Sequence, residues 1–241
     1  MAALPVGSQA PVPADALDAW NGAPNNGPTY IIKRQRITHV QCHAVCIVTD
    51  ANMDINRQAN GGDARRWANR SKPAGPGPGP MRAYLDANFP ATLAVGAVVE
   101  APGDLPHGAA PAGNHTLKML VNVPDFDPAA RAGAVGTEEY LRNCIQDVLS
   151  ALYFLPAVAP AGAPAWRCRG PSIAFDLVGS GSLGYGAERA AENVLAAIQG
   201  WYNDLVMGPF RRQYIPTVYL LIPEALNLNP DLTEIAWWRA W

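Results

Sequence analysis

The densest chemical signal in the chain is the run Gly179-Ser180-Gly181-Ser182-Leu183-Gly184-Tyr185-Gly186. It leaves an apolar segment, 172–178 (SIAFDLV), and enters one with helical spacing, 187–205. Glycines in such a connection let a ligand approach the backbone, and the free N–H groups and dipole of a helix start suit phosphate. A bare G-x-G-x-x-G pattern serves a tight strand-to-helix turn equally well. A second cluster, Ala51-Asn52 and then Asn60-Gly61-Gly62-Asp63, comes after another apolar run, 44–49 (AVCIVT). Ligands of open α/β sheets collect at strand ends, so two ends that each open into a glycine-bearing loop point to a phosphate-containing nucleotide or sugar nucleotide.

Spacing argues against two other phosphate chemistries. A dinucleotide fingerprint follows the first strand and has an acidic residue about 20 positions on. Here the glycines come late, and the next strand ends near Glu224. An ATP-binding loop fails because no Lys-Ser/Thr pair follows the glycines. Cys42 and Cys46, with His39 and His43 beside them, have the side-chain types of a zinc site. Val45, Ile47 and Val48 surround Cys46 with core character, so no metal is expected. His107 and His115 fall in a Gly/Pro loop and read as solvated, and Arg65-Arg66 reads as a surface pair able to steer an anion.

These motifs need a frame. Short β-branched runs at 30–33 and 44–49, with 93–100, 117–123, 172–178 and 215–222, read as strands. Helical patterns occupy 63–70, 81–88 and 187–205. A further helix starts after Thr137, a fitting N-cap, with Glu138 and Glu139 at the positive end of its dipole. Tyr140, Cys144, Val148, Leu149 and Leu152 give that helix one apolar face. The segment KPAGPGPGP (72–80) fits neither a helix interior nor a central strand. Strands that alternate with helices and read as continuous apolar runs are covered on both faces. The expected class is therefore α/β, a three-layer α/β/α sandwich with a mixed central sheet. Residues 1–28 read as a flexible arm, 29–223 as the domain, and 224–241 as an extension carrying Trp237, Trp238 and Trp241. Those tryptophans either pack on the body or meet a partner, and Pro230 could open a short helix over 229–241.

Composition bounds the partners. The 241 residues carry 18 Lys and Arg against 20 Asp and Glu, a net charge of −2, which disfavours general electrostatic binding to nucleic acid. No run approaches the roughly 18 apolar residues of a membrane span, and the N-terminus has no secretory signal pattern. Four cysteines (42, 46, 144 and 168) without a C-x-x-C pair suit a reduced, cytoplasmic setting rather than a disulfide scaffold. Only three of the 18 basic residues are Lys, a bias of GC-rich coding that carries no chemistry.

Over residues 30–222 the sequence resembles the macrodomain family, which binds ADP-ribose. IVTDAN (47–52) resembles the family's IVNAAN, and Asn60-Gly61-Gly62-Asp63 its glycine-rich first loop. The segment around Gly96 and AVVEAPGDLPHG, then LKMLVNVPD, resembles its next strands. IAFDLVGSGSLGYGAERAAENVLAAI resembles IAFPxIGTGxxGxP and the helix after it. The resemblance implies that Ser180, Gly181, Ser182, Leu183 and Gly184 offer N–H groups to the diphosphate. It implies that Tyr185 packs on the distal ribose, that Asn52 bonds a hydroxyl of that ribose, and that Gly61 and Gly62 let the first loop close. Asp63 falls within a residue of the aspartate that activates water in some family hydrolases. Each has a plainer reading: Asn52 closes a turn, Asp63 caps the helix at 64–70, Tyr185 is a core aromatic.

The chain departs from the family where Gln35-Arg36-Ile37-Thr38 replaces Gly-Asp-Ile-Thr. A guanidinium cannot accept the adenine amino hydrogen bond, although it can stack on the base. Thr49, Asp50 and Gly186 also differ. The resulting expectation is an ADP-ribose-binding macrodomain that hydrolyses mono-ADP-ribose from protein side chains, with Asn52 and Asp63 at the reaction and no cofactor. Its partners would be ADP-ribose and ADP-ribosylated proteins. The rival readings are a binder without turnover and an interaction module within a larger protein, a viral polyprotein included.

Overall fold

The inner strands form from residues that resist helix and suit a pleated surface. In a computed structural model that describes residues 12–22, 27–35, 37, 39–53, 80–89, 91–103, 115–157, 161–163, 167, 169–181 and 183–222, these are β2 (Thr29–Arg34), β3 (Cys42–Thr49), β5 (His115–Asn122), β6 (Ser172–Phe175) and β7 (Thr217–Ile222). They run parallel in the order β2-β7-β6-β3-β5. Two antiparallel edge strands, β1 (Asp18–Asn21) beside β2 and β4 (Val98–Pro102) beside β5, complete a mixed sheet of seven strands among the described residues.

Period-two alternation sends successive residues to opposite faces. Ile32, Cys46, Met119, Phe175 and Leu220 meet α2 (Glu138–Phe154) and α3 (Ala187–Tyr202) through Leu141, Ile145, Leu149, Val194 and Ile198. Ile31, Val45, Leu120, Tyr219 and Leu221 meet Met81 and Leu85 of α1 (Pro80–Asn88). The result is the expected three-layer sandwich. α1 starts on Pro80, the position where a missing N–H costs nothing. Thr137 caps α2 as its spacing predicted, its Oγ1 accepting from the Tyr140 N–H at 3.2 Å.

Several boundaries differ from the sequence expectation. Residues 18–21 belong to a strand rather than to an arm ending at 28. Their short run carries little signal of its own. They are drawn in by the open edge of β2, the stacking of Trp20 on Tyr30 at 5.1 Å, and the Lys33–Asp15 ion pair at 2.8 Å. The strand expected at 93–100 starts only at Val98, because Gly96, at φ +80°, makes a turn. The buried Asn122 pins that turn by donating its Nδ2 to the Leu93 carbonyl at 2.8 Å. His115, expected in a loop, begins β5. The strand from 172 stops at Phe175, where Val178 N–H turns back onto the Asp176 carbonyl. The helix from 187 ends at Tyr202, and an unexpected α4 (Gly208–Tyr214) follows. Asp204 organises that connection by accepting from Met207 and Val206 N–H at 2.8 and 2.9 Å, which holds its carboxyl below the ordinary range. The helices expected at 63–70 and within 229–241 lie outside the described residues.

Buried tyrosines, Tyr30, Tyr185 and Tyr202 among them, make a prediction at high pH. Burial raises the Tyr30 and Tyr202 phenols and takes Tyr185 up to about 12. The folded state therefore holds protons that the unfolded chain releases near pH 10. That stability is fully present below about pH 10 and is lost as pH rises toward the folded values. Unfolding followed by circular dichroism is expected to start near pH 10, together with tyrosinate absorbance. Tyrosinate absorbance growing fully at pH 10 in a chain that stays folded would contradict it.

Candidate functional site

Because β6, β3 and β5 are adjacent and parallel, the segments after them emerge at one end of the sheet. This brings together Asn52 after β3, the loop containing Phe126 after β5, and the glycine run after β6. Gly61, Gly62, Asp63 and Ser182 lie outside the described residues.

After β3 the chain turns tightly. Asp50 Oδ1 accepts from the Asn52 N–H at 2.9 Å, and the Asp50 carbonyl accepts from Met53 N–H at 2.9 Å. Met53 takes a left-handed φ of 51°. Leu93 N–H donates to the Ala51 carbonyl at 2.6 Å. Asp50 thus closes the turn, and Asn52 stands exposed upon it.

The glycine run is two interlocked turns. Ser180 N–H donates to the Leu177 carbonyl at 2.9 Å, Gly184 N–H to Gly181 at 3.1 Å, and Tyr185 N–H to Gly179 at 3.1 Å. Those three donors are used inside the turn. Gly181 and Leu183 N–H have no backbone acceptor among the described residues. Gly179, at φ +93°, is required: a Cβ there would sit 2.8 Å from the Tyr185 ring. Gly181 is exposed, and a Cβ on it would meet nothing within 4 Å. The run leads into α3 through Gly186, which has no side chain to cap the helix. The first-turn N–H groups of a 16-residue helix therefore lack a side-chain cap behind an open glycine. Orphan donors and a positive dipole end are an arrangement for an anion.

Tyr185 supports this turn from beneath. It is 2 % exposed, its hydroxyl donates to the Pro124 carbonyl at 3.3 Å, and its ring lies 5.1 Å from that of Phe126. Burial above all, with Cys144, Asp125 and Glu138 nearby, holds the phenol protonated, so it is no base at neutral pH. The half-buried apolar groups beside the turn are Leu183 and Phe126, tied together by Phe126 N–H donating to the Leu183 carbonyl at 2.7 Å. Arg189 adds positive charge, lying 5.8 Å from the Phe126 ring centre and 3.7 Å from Glu138. Sequence reasoning passed over Phe126 and Arg189. Applying the strand-end rule to β5 as well would have found the first.

Among the described residues no cluster of three or more His, Cys, Asp or Glu could hold a metal. Cys46 is buried, and Cys42 points its thiol at the Ala44 carbonyl, 3.0 Å away. No helix of the described residues is long and apolar enough to cross a membrane.

No family model matches the sequence, and no curated protein matches it. The structure is similar to a macrodomain of Oceanobacillus iheyensis solved with ADP, with TM-score 0.58 and 14% identity over 92% of this chain and 94% of that one. The chain has the macrodomain fold. The macrodomain of Trypanosoma brucei solved with ADP-ribose is similar at TM-score 0.54 and 15% identity, over 88% of this chain and 68% of that one. So is the macro domain of ganglioside induced differentiation associated protein 2, at TM-score 0.57 and 12% identity, over 88% and 83%. At such identities the likeness is one of fold. In this macrodomain fold the glycine run and the Asn52 turn share the sheet end where β3 and β6 finish.

Proposed function

We propose that the protein binds ADP-ribose across the ends of β3 and β6 and removes mono-ADP-ribose from modified protein side chains. The observation that carries the binding is the helix start of α3, without a side-chain cap, behind the open Gly181. Structures of the same fold solved with ADP and with ADP-ribose support it.

In this reading Gly181 and Leu183 donate N–H groups to the diphosphate, joined by Ser182, while Ser180 and Gly184 shape the turn. Tyr185 props that turn, and Asn52 bonds the distal ribose. Gly61 and Gly62 let the first loop close over the sugar. Binding energy at the diphosphate then positions the reacting end of the ligand. Cleavage of an ester at the distal ribose needs a water held beside the bond. Asp63 or the ligand's own phosphate orients it.

Calorimetry with ADP-ribose, AMP and NAD tests the binding, with ADP-ribose expected to bind tightest. A folded protein giving no heat at millimolar ADP-ribose would refute it. Incubation with a mono-ADP-ribosylated protein tests turnover, since a binder alone leaves the label in place. Asp63→Ala should slow release on the order of 10²–10⁴-fold if Asp63 is the general base. A mild effect assigns the water to the phosphate.

A further inference from the structure

Asparagine is poorly suited to an inner strand, and a buried amide is costly unless its hydrogen bonds are made. Asn122 nevertheless ends β5, only 5 % exposed and paired in register with Thr49 at the end of β3. Its bonds account for its presence. Its Nδ2 donates to the Leu93 carbonyl at 2.8 Å, its carbonyl accepts from Gly96 N–H at 2.8 Å, and its N–H donates to the Ala97 carbonyl at 3.2 Å. The last two use backbone, which any strand residue offers. The first needs the side-chain amide, and it is the bond that fixes Leu93.

Leu93 is also where the turn carrying Asn52 is tied down. Leu93 N–H donates to the Ala51 carbonyl at 2.6 Å, and its side chain packs in the same core cluster as Met53. Leu93 thus accepts a bond from Asn122 on its carbonyl and gives one from its N–H to the residue before Asn52. The bonds of Asp50 to Asn52 and Met53 N–H close the turn on itself but do not fix where it stands on the molecule. Without the Asn122 amide, the Leu93 carbonyl would lose its buried partner, and a buried acceptor without one carries a desolvation penalty. The segment would shift to relieve that penalty, and the bond to Ala51 would loosen with it. Building on the ADP-ribose reading of the site, we propose that Asn122 is a positioning residue. Acting through Leu93, it sets where Asn52 stands and so governs affinity for the distal ribose without touching the ligand.

The test combines hydrogen exchange and calorimetry on the full chain. Asn122→Leu removes the donor at similar volume. Without ligand, its Leu93 and Met53 amides should exchange about tenfold faster than in the parent, measured relative to Val218 of β7. It should bind ADP-ribose about tenfold more weakly, the effect of roughly one hydrogen bond. ADP, which has no distal ribose, should keep its affinity. In an Asn52→Ala background, Asn122→Leu should add no further loss for ADP-ribose, because residues that act as one unit are not additive. Asn122→Thr, whose hydroxyl is one bond shorter than the amide, carries the same test if Asn122→Leu does not fold. Equal losses for ADP and ADP-ribose, additive losses in the double variant, or unchanged relative exchange at Leu93 would each overturn the proposal. Asn52→Ala binding ADP-ribose as tightly as the parent would instead refute the ribose contact on which the proposal builds.

Discussion

Gly181→Glu is expected to abolish ADP-ribose binding while leaving the protein folded. The position has the features that separate the two effects. Gly181 is exposed, its φ lies outside the left-handed region that restricts side chains, and an added Cβ meets nothing within 4 Å. An exposed substitution of this kind changes stability by at most about 0.5 kcal/mol. The melting temperature should therefore stay within about 2 °C of the parent. The new carboxylate would stand where the proposed diphosphate sits, replacing an attractive N–H surface with like charge. Such a juxtaposition costs several kcal/mol. A loss of at least a hundredfold in affinity, about 2.8 kcal/mol, should appear in calorimetry. Unchanged affinity in the folded variant would move the phosphate site away from this turn and sink the proposed function.

Gly179→Ala, two residues earlier, should do the reverse and act first on stability. Gly179 has φ +93°, a conformation that costs an L residue about 1–2 kcal/mol. The added methyl would stand 2.8 Å from Tyr185 Cδ2. The ring cannot yield freely, because its hydroxyl is held by the Pro124 carbonyl and its face packs against Phe126. Overpacking of this kind adds about 1–3 kcal/mol. Together they predict a fall in melting temperature on the order of 10 °C for a chain of this size. Replacing Tyr185 by Leu in the same chain should recover part of the overpacking term but none of the φ term. A Gly179→Ala protein that melts with the parent would mean that the turn does not depend on this contact.

The two glycines carry the same letter in the same motif, and the pattern G-x-G-x-x-G does not tell them apart. Which one packs against a side chain and which stands open depends on where the Tyr185 ring goes. Tyr185 illustrates the difficulty from the other side. A tyrosine beside a glycine-rich turn reads as a ligand platform, yet Tyr185 is part of the core, its hydroxyl bonded to the Pro124 carbonyl 61 residues away in sequence. The inward direction of the Ser180 and Gly184 N–H groups was equally illegible, since it is set by carbonyls within a folded turn.

The parts legible from sequence are those governed by near neighbours along the chain. Strand and helix types follow from the side-chain period and from β-branched runs. The cap at Thr137 follows from its hydroxyl and the two glutamates after it. The strand–glycine–helix order around residue 180 follows from chemistry within a dozen residues. Tertiary structure decided the rest: the edge strand at 18–21, the side on which each N–H lies, and which aromatic is buried. Those outcomes depend on contacts whose partners lie far apart in sequence, so no window along the chain contains both halves of the interaction.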